Sequence, residues 1–186
     1  MHPDGSRTPI PGSPFLLSEP AQQLLSWGRN LLVQEQDALA LFAVDEQNGT
    51  LLQTDEVLVS TVKDMVVSGS DATVFVLDNS SISAYRVQGG RMVAQPGTPF
   101  ALPSGANGLA SSADSLALGA DQKTLFVAFS VPAGSPESFG KAVQTSEGAF
   151  SAIELVDAVP SEVAQMFAVK KASASAKPRL AAVVTP

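Results

Sequence analysis

Short apolar runs separated by polar, glycine-bearing turns recur along most of this chain. Leu31–Gln34, Thr73–Leu77 and Thr124–Phe129 are rich in β-branched, aromatic and other apolar residues. Each follows another run, at Gln23–Trp27, Val62–Ser68 and Ser115–Gly119, across a short turn: Gly28-Arg29-Asn30, Gly69-Ser70-Asp71 and Asp121-Gln122-Lys123. Runs of this length and composition predict pairs of antiparallel strands. A third strand is predicted in each group, at Leu39–Val44, Ile82–Val87 and Phe150–Leu155. In the second of these, Ile82, Ala84 and the Arg86 stem share one face, and Ser83, Tyr85 and Val87 the other. The fourth runs, Leu51–Gln53 and Met92–Gln95, are short and weak, as suits outer strands facing solvent.

The groups repeat. Pro11-Gly12-Ser13-Pro14-Phe15 returns as Pro96-Gly97-Thr98-Pro99-Phe100, about 85 residues later, or two units of about 42, the length of a four-stranded propeller blade. Asp4-Gly5, Asn48-Gly49 and Gly89-Gly90 mark the same period, each with the glycine that a tight hairpin needs where φ is positive. The predicted fold is all-β: a partial β-propeller of about three and a half four-stranded antiparallel blades. Residues 1–15 read as the end of a preceding blade, 16–57 and 58–100 as blades, and 101–160 as a blade with insertions at about Pro103–Asp114 and Ser130–Gly148. Residues 161–186 read as the start of a further blade, with a hairpin from Ala164–Val169 and Arg179–Val184, or as a helix from Ser161 to Lys171 and a mobile tail. Trp27 and Phe42 are expected in the core between blades.

Composition narrows the function. A net charge of −7 disfavours nucleic acid and anionic membranes, which need a basic surface. The absence of cysteine excludes disulfides and thiolate metal sites. No apolar run approaches the roughly 20 residues of a membrane span, and the polar, proline-rich start is no signal peptide. The compartment stays open, with the cytoplasm as default.

The Pro-Gly-Ser/Thr-Pro-Phe runs, the paired apolar strands and the Asn-Gly or Asp-Gly turns resemble the seven-bladed lactonase family, whose named member is 6-phosphogluconolactonase. Asp121-Gln122-Lys123-Thr124-Leu125-Phe126-Val127 is similar to that family's strand pair. The resemblance covers about Met1–Leu155 and implies a propeller with a ligand site at the channel mouth. It further implies a loop histidine before a first strand; Gln22 and Gln23 stand there, and the single histidine is His2, in a terminal turn.

Lactone hydrolysis needs a general base and a clamp for the developing oxyanion. The loops predicted at the mouth offer Glu19, Lys63 and Asp64 on one set, and Glu35, Asp37, Asp78 and Asn79 on the other. These are the candidate ligand-binding residues. Such an acidic group suits a hard cation, but as loop charges they read as solvated, and no metal site or cofactor is expected. Asn48-Gly49-Thr50 and Asn79-Ser80-Ser81 match the glycosylation pattern, which turns also produce by chance. The leading expectation is a lactonase-like propeller segment serving as a ligand-binding or protein-interaction scaffold. The alternatives are a sugar-lactone hydrolase whose site needs further blades, and an inactive structural fragment. Expected partners are another copy of the chain or further blades completing the ring, because end blades leave apolar faces uncovered.

Overall fold

The computed structural model describes residues 14–69, 71–103, 113–129, 138–145, 150–156 and 159–167. Those residues form thirteen strands in three antiparallel sheets. The first sheet runs β1 (Gln23–Trp27), β2 (Asn30–Gln34), β3 (Ala38–Val44) and β4 (Leu51–Leu58), in chain order across the sheet. The second holds β5 (Asp64–Ser68), β6 (Thr73–Leu77), β7 (Ser81–Gln88) and β8 (Arg91–Ala94), with β9 (Phe100–Ala101) also on β7. The third is β10 (Ala113–Leu118), β11 (Thr124–Phe129), β12 (Ser138–Val143) and β13 (Glu154–Val156). A single helical stretch among the described residues, α1, follows over 161–167.

The sheets stack face to face as consecutive blades, because strand residues alternate between two buried faces. In β6, Val74 and Val76 pack with Leu32, Leu39 and Leu41 of the first blade. Phe75 and Leu77 point the other way, against Leu116, Leu125 and Val127 of the third. The alternation expected along β7 is present: Ile82 and Ala84 lie in the core toward the third blade, Tyr85 and Val87 in the core toward the first. Trp27 packs in the core between the first two blades, as expected. Phe42 instead lies on the outer face of the first blade, with Val33, Ala40 and Leu17, because it sits one residue out of phase with Leu41.

The hairpin glycines have the backbone that the repeat predicts, with φ of 74° at Gly49 and 57° and 78° at Gly89 and Gly90. The Pro96–Phe100 run closes the second blade: Thr98 Oγ1 accepts from the Ala84 amide at 2.9 Å, and Phe100 packs into the core beyond.

Two boundaries differ from the sequence reading, and a third region takes one of its two alternatives. The third strand of the third blade is β12, inside the stretch read as an insertion, and the segment read as that strand, Phe150–Leu155, instead contributes to the fourth strand, β13. Within β12 packing demands a glycine: a Cβ at Gly140 would lie 2.6 Å from Ile153 Cγ2 and 3.0 Å from the Phe129 ring. Strand β4 runs on to Leu58, past the expected end at Gln53. Its polar centre is structural, since Asp55 accepts the Met92 amide at 2.7 Å and ties the outer strands of two blades. Finally, 161–167 is helical, so the helix is the alternative found there; residues from 168 onward lie outside those described.

Candidate functional site

The innermost strands β1, β5 and β10 lie side by side, and Asp64, the first residue of β5, stands where they meet. It is 5% exposed. One carboxylate oxygen accepts from Gln23 Nε2 of the first blade at 3.2 Å and from the Met65 amide at 2.9 Å. The other accepts from Ser115 Oγ and the Leu116 amide of the third blade, both at 2.7 Å. One side chain thus joins three blades. A carboxylate is suited to this because it accepts up to four hydrogen bonds and donates none, and bonds to a charged acceptor are the strong ones.

Its neighbours extend the clasp. Lys63 Nζ donates to the Ala113 carbonyl at 3.1 Å. Gln34, buried at the end of β2, donates to Gln22 Oε1 at 3.1 Å and to the Val62 carbonyl at 3.3 Å. Of the two glutamines that stand where the lactonase resemblance implies a histidine, Gln23 therefore connects the first blade to the second, and Gln22 bonds Gln34 within the first blade.

The other candidates disperse. Glu35 is only 2% exposed and takes a hydrogen bond from the Ser18 hydroxyl. Asp37 is exposed and lines an open hollow of about 450 Å³ with Leu58, Val59 and Ser60. Asp78 folds into its own turn, accepting from the Ser80 and Ser81 amides at 2.6 and 2.7 Å and from Ser81 Oγ at 2.7 Å. Asn79 and Glu19 are exposed on loops. Among the described residues, no group of three or more His, Asp or Glu is placed to hold a metal ion. His2 lies outside them. Ser115, central to the clasp, gave no signal in the sequence, because a hydroxyl in a strand looks alike wherever it points, and Gln23 stood out only as the residue in place of a histidine.

The opposite rim carries a second connection. Asp71 pairs with Arg86 at 3.4 Å and accepts from Gln144 of the third blade at 3.3 Å. Gln122, also of the third blade, accepts the Gly69 amide at 3.1 Å. Burial alone would raise the Asp71 carboxyl, but hydrogen bonds from Gln144, Ser68 and Thr73 outweigh it and hold its pKa below the ordinary value. In Asp78, bonds from Ser81 and Ser80 likewise overcome burial. Both groups are depressed in the folded state, so their stabilisation is present above the unfolded value of about 4 and lost as pH falls through the folded values. A thermal melt should therefore hold its midpoint from about pH 7 to 5 and decline below about pH 4. A midpoint rising into acid would contradict this assignment.

No family model matches the chain, and no curated protein matches it significantly. Solved structures do match. The N-terminal domain of Nup159 aligns with a TM-score of 0.51 and 17% identity over 75% of this chain and 38% of that one. A candidate 6-phosphogluconolactonase from Bacteroides uniformis aligns with a TM-score of 0.52 and 10% identity over 70% of this chain and 38% of that one. The described residues therefore have a partial β-propeller fold. The chain spans well under half the length of the propellers that it matches. No described helix is long and apolar enough to cross a membrane.

Proposed function

We propose that this propeller segment is a protein-interaction scaffold and not a lactone hydrolase. The observation that supports the reading best is the state of Asp64. A general base must offer a lone pair to the proton that it removes. Asp64 is the carboxylate best placed at the inner strands, and both its oxygens are engaged by donors from three blades. Asp78 is bonded through both oxygens within its own turn, and one oxygen of Glu35 accepts from Ser18. The polar groups at this end of the blades bind the blades to one another, while large apolar side chains such as Leu58 and Leu24 stand exposed, the pattern of a contact surface for protein.

The test is a hydrolysis assay with 6-phosphogluconolactone on the purified chain. Turnover is expected to equal the uncatalysed background. Turnover that disappears in Asp64→Ala, with the β-sheet circular dichroism unchanged, would overturn the reading.

A further inference from the structure

A strand at the edge of a sheet has one row of amides and carbonyls paired and the other row facing away. Strand β4 is such an edge. It ends the first sheet, with β3 on one side and no strand among the described residues on the other. The Val59 amide donates to the Asp37 carbonyl at 2.9 Å, so these two residues bond across the ladder. Alternation along an antiparallel pair then turns the backbone groups of Val57 toward β3 and those of Glu56 and Leu58 outward. Residues Asp55–Leu58 pair with Ala38–Leu41 in unbroken register, and the bulge of this ladder lies before them.

The same stretch is held by its other face. Val57 packs in the core toward the second blade, and Asp55 accepts the Met92 amide. Glu56 and Leu58 share the opposite face, where both are exposed, Leu58 by 80%. Just beyond is the open hollow lined by Asp37, Leu58, Val59 and Ser60. Asp37 is exposed there and makes no ion pair among the described residues. Sheet edges are commonly blunted by lysine, proline or shortness. In the second blade the outer position is divided between β8, four residues beginning with Arg91, and the two-residue β9. Strand β4 has eight residues and neither lysine nor proline.

We propose that the end of β4 is a docking edge for an extended segment of another protein with a basic-x-apolar-x-basic pattern. This partner deepens the scaffold reading and rests on it. Added antiparallel beside β4, the segment exchanges backbone hydrogen bonds with Leu58 and with Glu56. Its side chains alternate, so every second one shares the face of Glu56 and Leu58. The apolar residue then lies against Leu58, one basic residue meets Glu56, and the other enters the hollow beside Asp37. Charge selects this partner: the edge offers two exposed carboxylates, no cation lines the hollow, and the chain carries a net −7, which favours encounter with a basic segment.

The probe is a capped, fluorescent heptapeptide, Thr-Lys-Thr-Leu-Thr-Lys-Thr, titrated with the whole chain and read by fluorescence anisotropy. Binding is expected at or below about 1 mM. Glutamate in place of both lysines should weaken it about tenfold, because two exposed ion pairs become repulsions. N-methylation of the peptide leucine removes the donor to the Leu58 carbonyl and should weaken it at least about fivefold. In the protein, Asp37→Lys/Glu56→Lys should reverse the preference, so that the glutamate peptide binds more tightly than the lysine peptide. Failure of the wild-type chain, folded by circular dichroism, to bind the lysine peptide overturns the proposal. So does equal binding of the lysine and glutamate peptides, or binding indifferent to N-methylation. Self-association that Glu56→Lys abolishes, with no peptide bound, makes the occupant a second copy and overturns it too. If the double lysine variant does not fold, the peptide changes on the wild-type chain decide alone. None of these outcomes touches lactone hydrolysis, so the scaffold reading stands or falls on its own assay.

Discussion

Replacing Asp64 with alanine should destabilise the protein by roughly 3 kcal/mol, the scale for removing one member of a buried charged network. The substitution leaves Ser115 Oγ, Gln23 Nε2 and the Met65 and Leu116 amides without their acceptor. The amides cannot turn away, because they belong to strands packed on both sides. For a chain of this size the loss corresponds to a fall in Tm of roughly 6–12 °C. Asp64→Asn should recover little of it, since the amide NH2 must face donors on one side or the other. Thermal unfolding followed by circular dichroism measures both variants. A change below about 1 kcal/mol in Asp64→Ala would show that the carboxylate is not the shared acceptor.

Phe75→Ala should cost still more, roughly 3–5 kcal/mol. Phe75 is fully buried in β6, and its ring meets Phe150 edge to face at 4.8 Å. It lies in the core between the second and third blades, so the cavity opens at a contact between repeats. In a repeat array, stability is the sum of unit terms and such interfaces. Urea unfolding should show the midpoint lowered with an unchanged slope, the signature of lost stability without a change in the surface exposed. Phe75→Leu should lose far less, because it keeps most of the volume.

The blade pattern was legible because it rests on local signals. Strand β6 announces itself by Thr73-Val74-Phe75-Val76-Leu77, and Gly49, Gly89 and Gly90 mark hairpins because only glycine takes their backbone easily. Strand β12 was hidden for the opposite reason. Its small residues, Gly140 and Ala142, are set by the bulk of Ile153 and Phe129, which is tertiary information. The polar centre of β4 concealed a strand whose Asp55 is satisfied by another blade.

The candidate site was half legible. Lys63 and Asp64 stood out as charges before an apolar strand, and both lie at the inner strands. Their role was not legible, since a carboxylate offered to a ligand and one clasped by three blades have the same local sequence. Glu35 followed the same course, read as a loop charge and found buried against Ser18.

The central claim is that three blades converge on one carboxylate. A double-mutant cycle on Gln23 and Ser115 tests it most directly. These residues sit in the first and third blades and bind opposite oxygens of Asp64. Gln23→Ala and Ser115→Ala should be non-additive, with a coupling of at least about 0.5 kcal/mol that vanishes when Asp64 is alanine. Additivity within about 0.3 kcal/mol in the presence of Asp64 would contradict the shared clasp and the stacked-blade arrangement built around it.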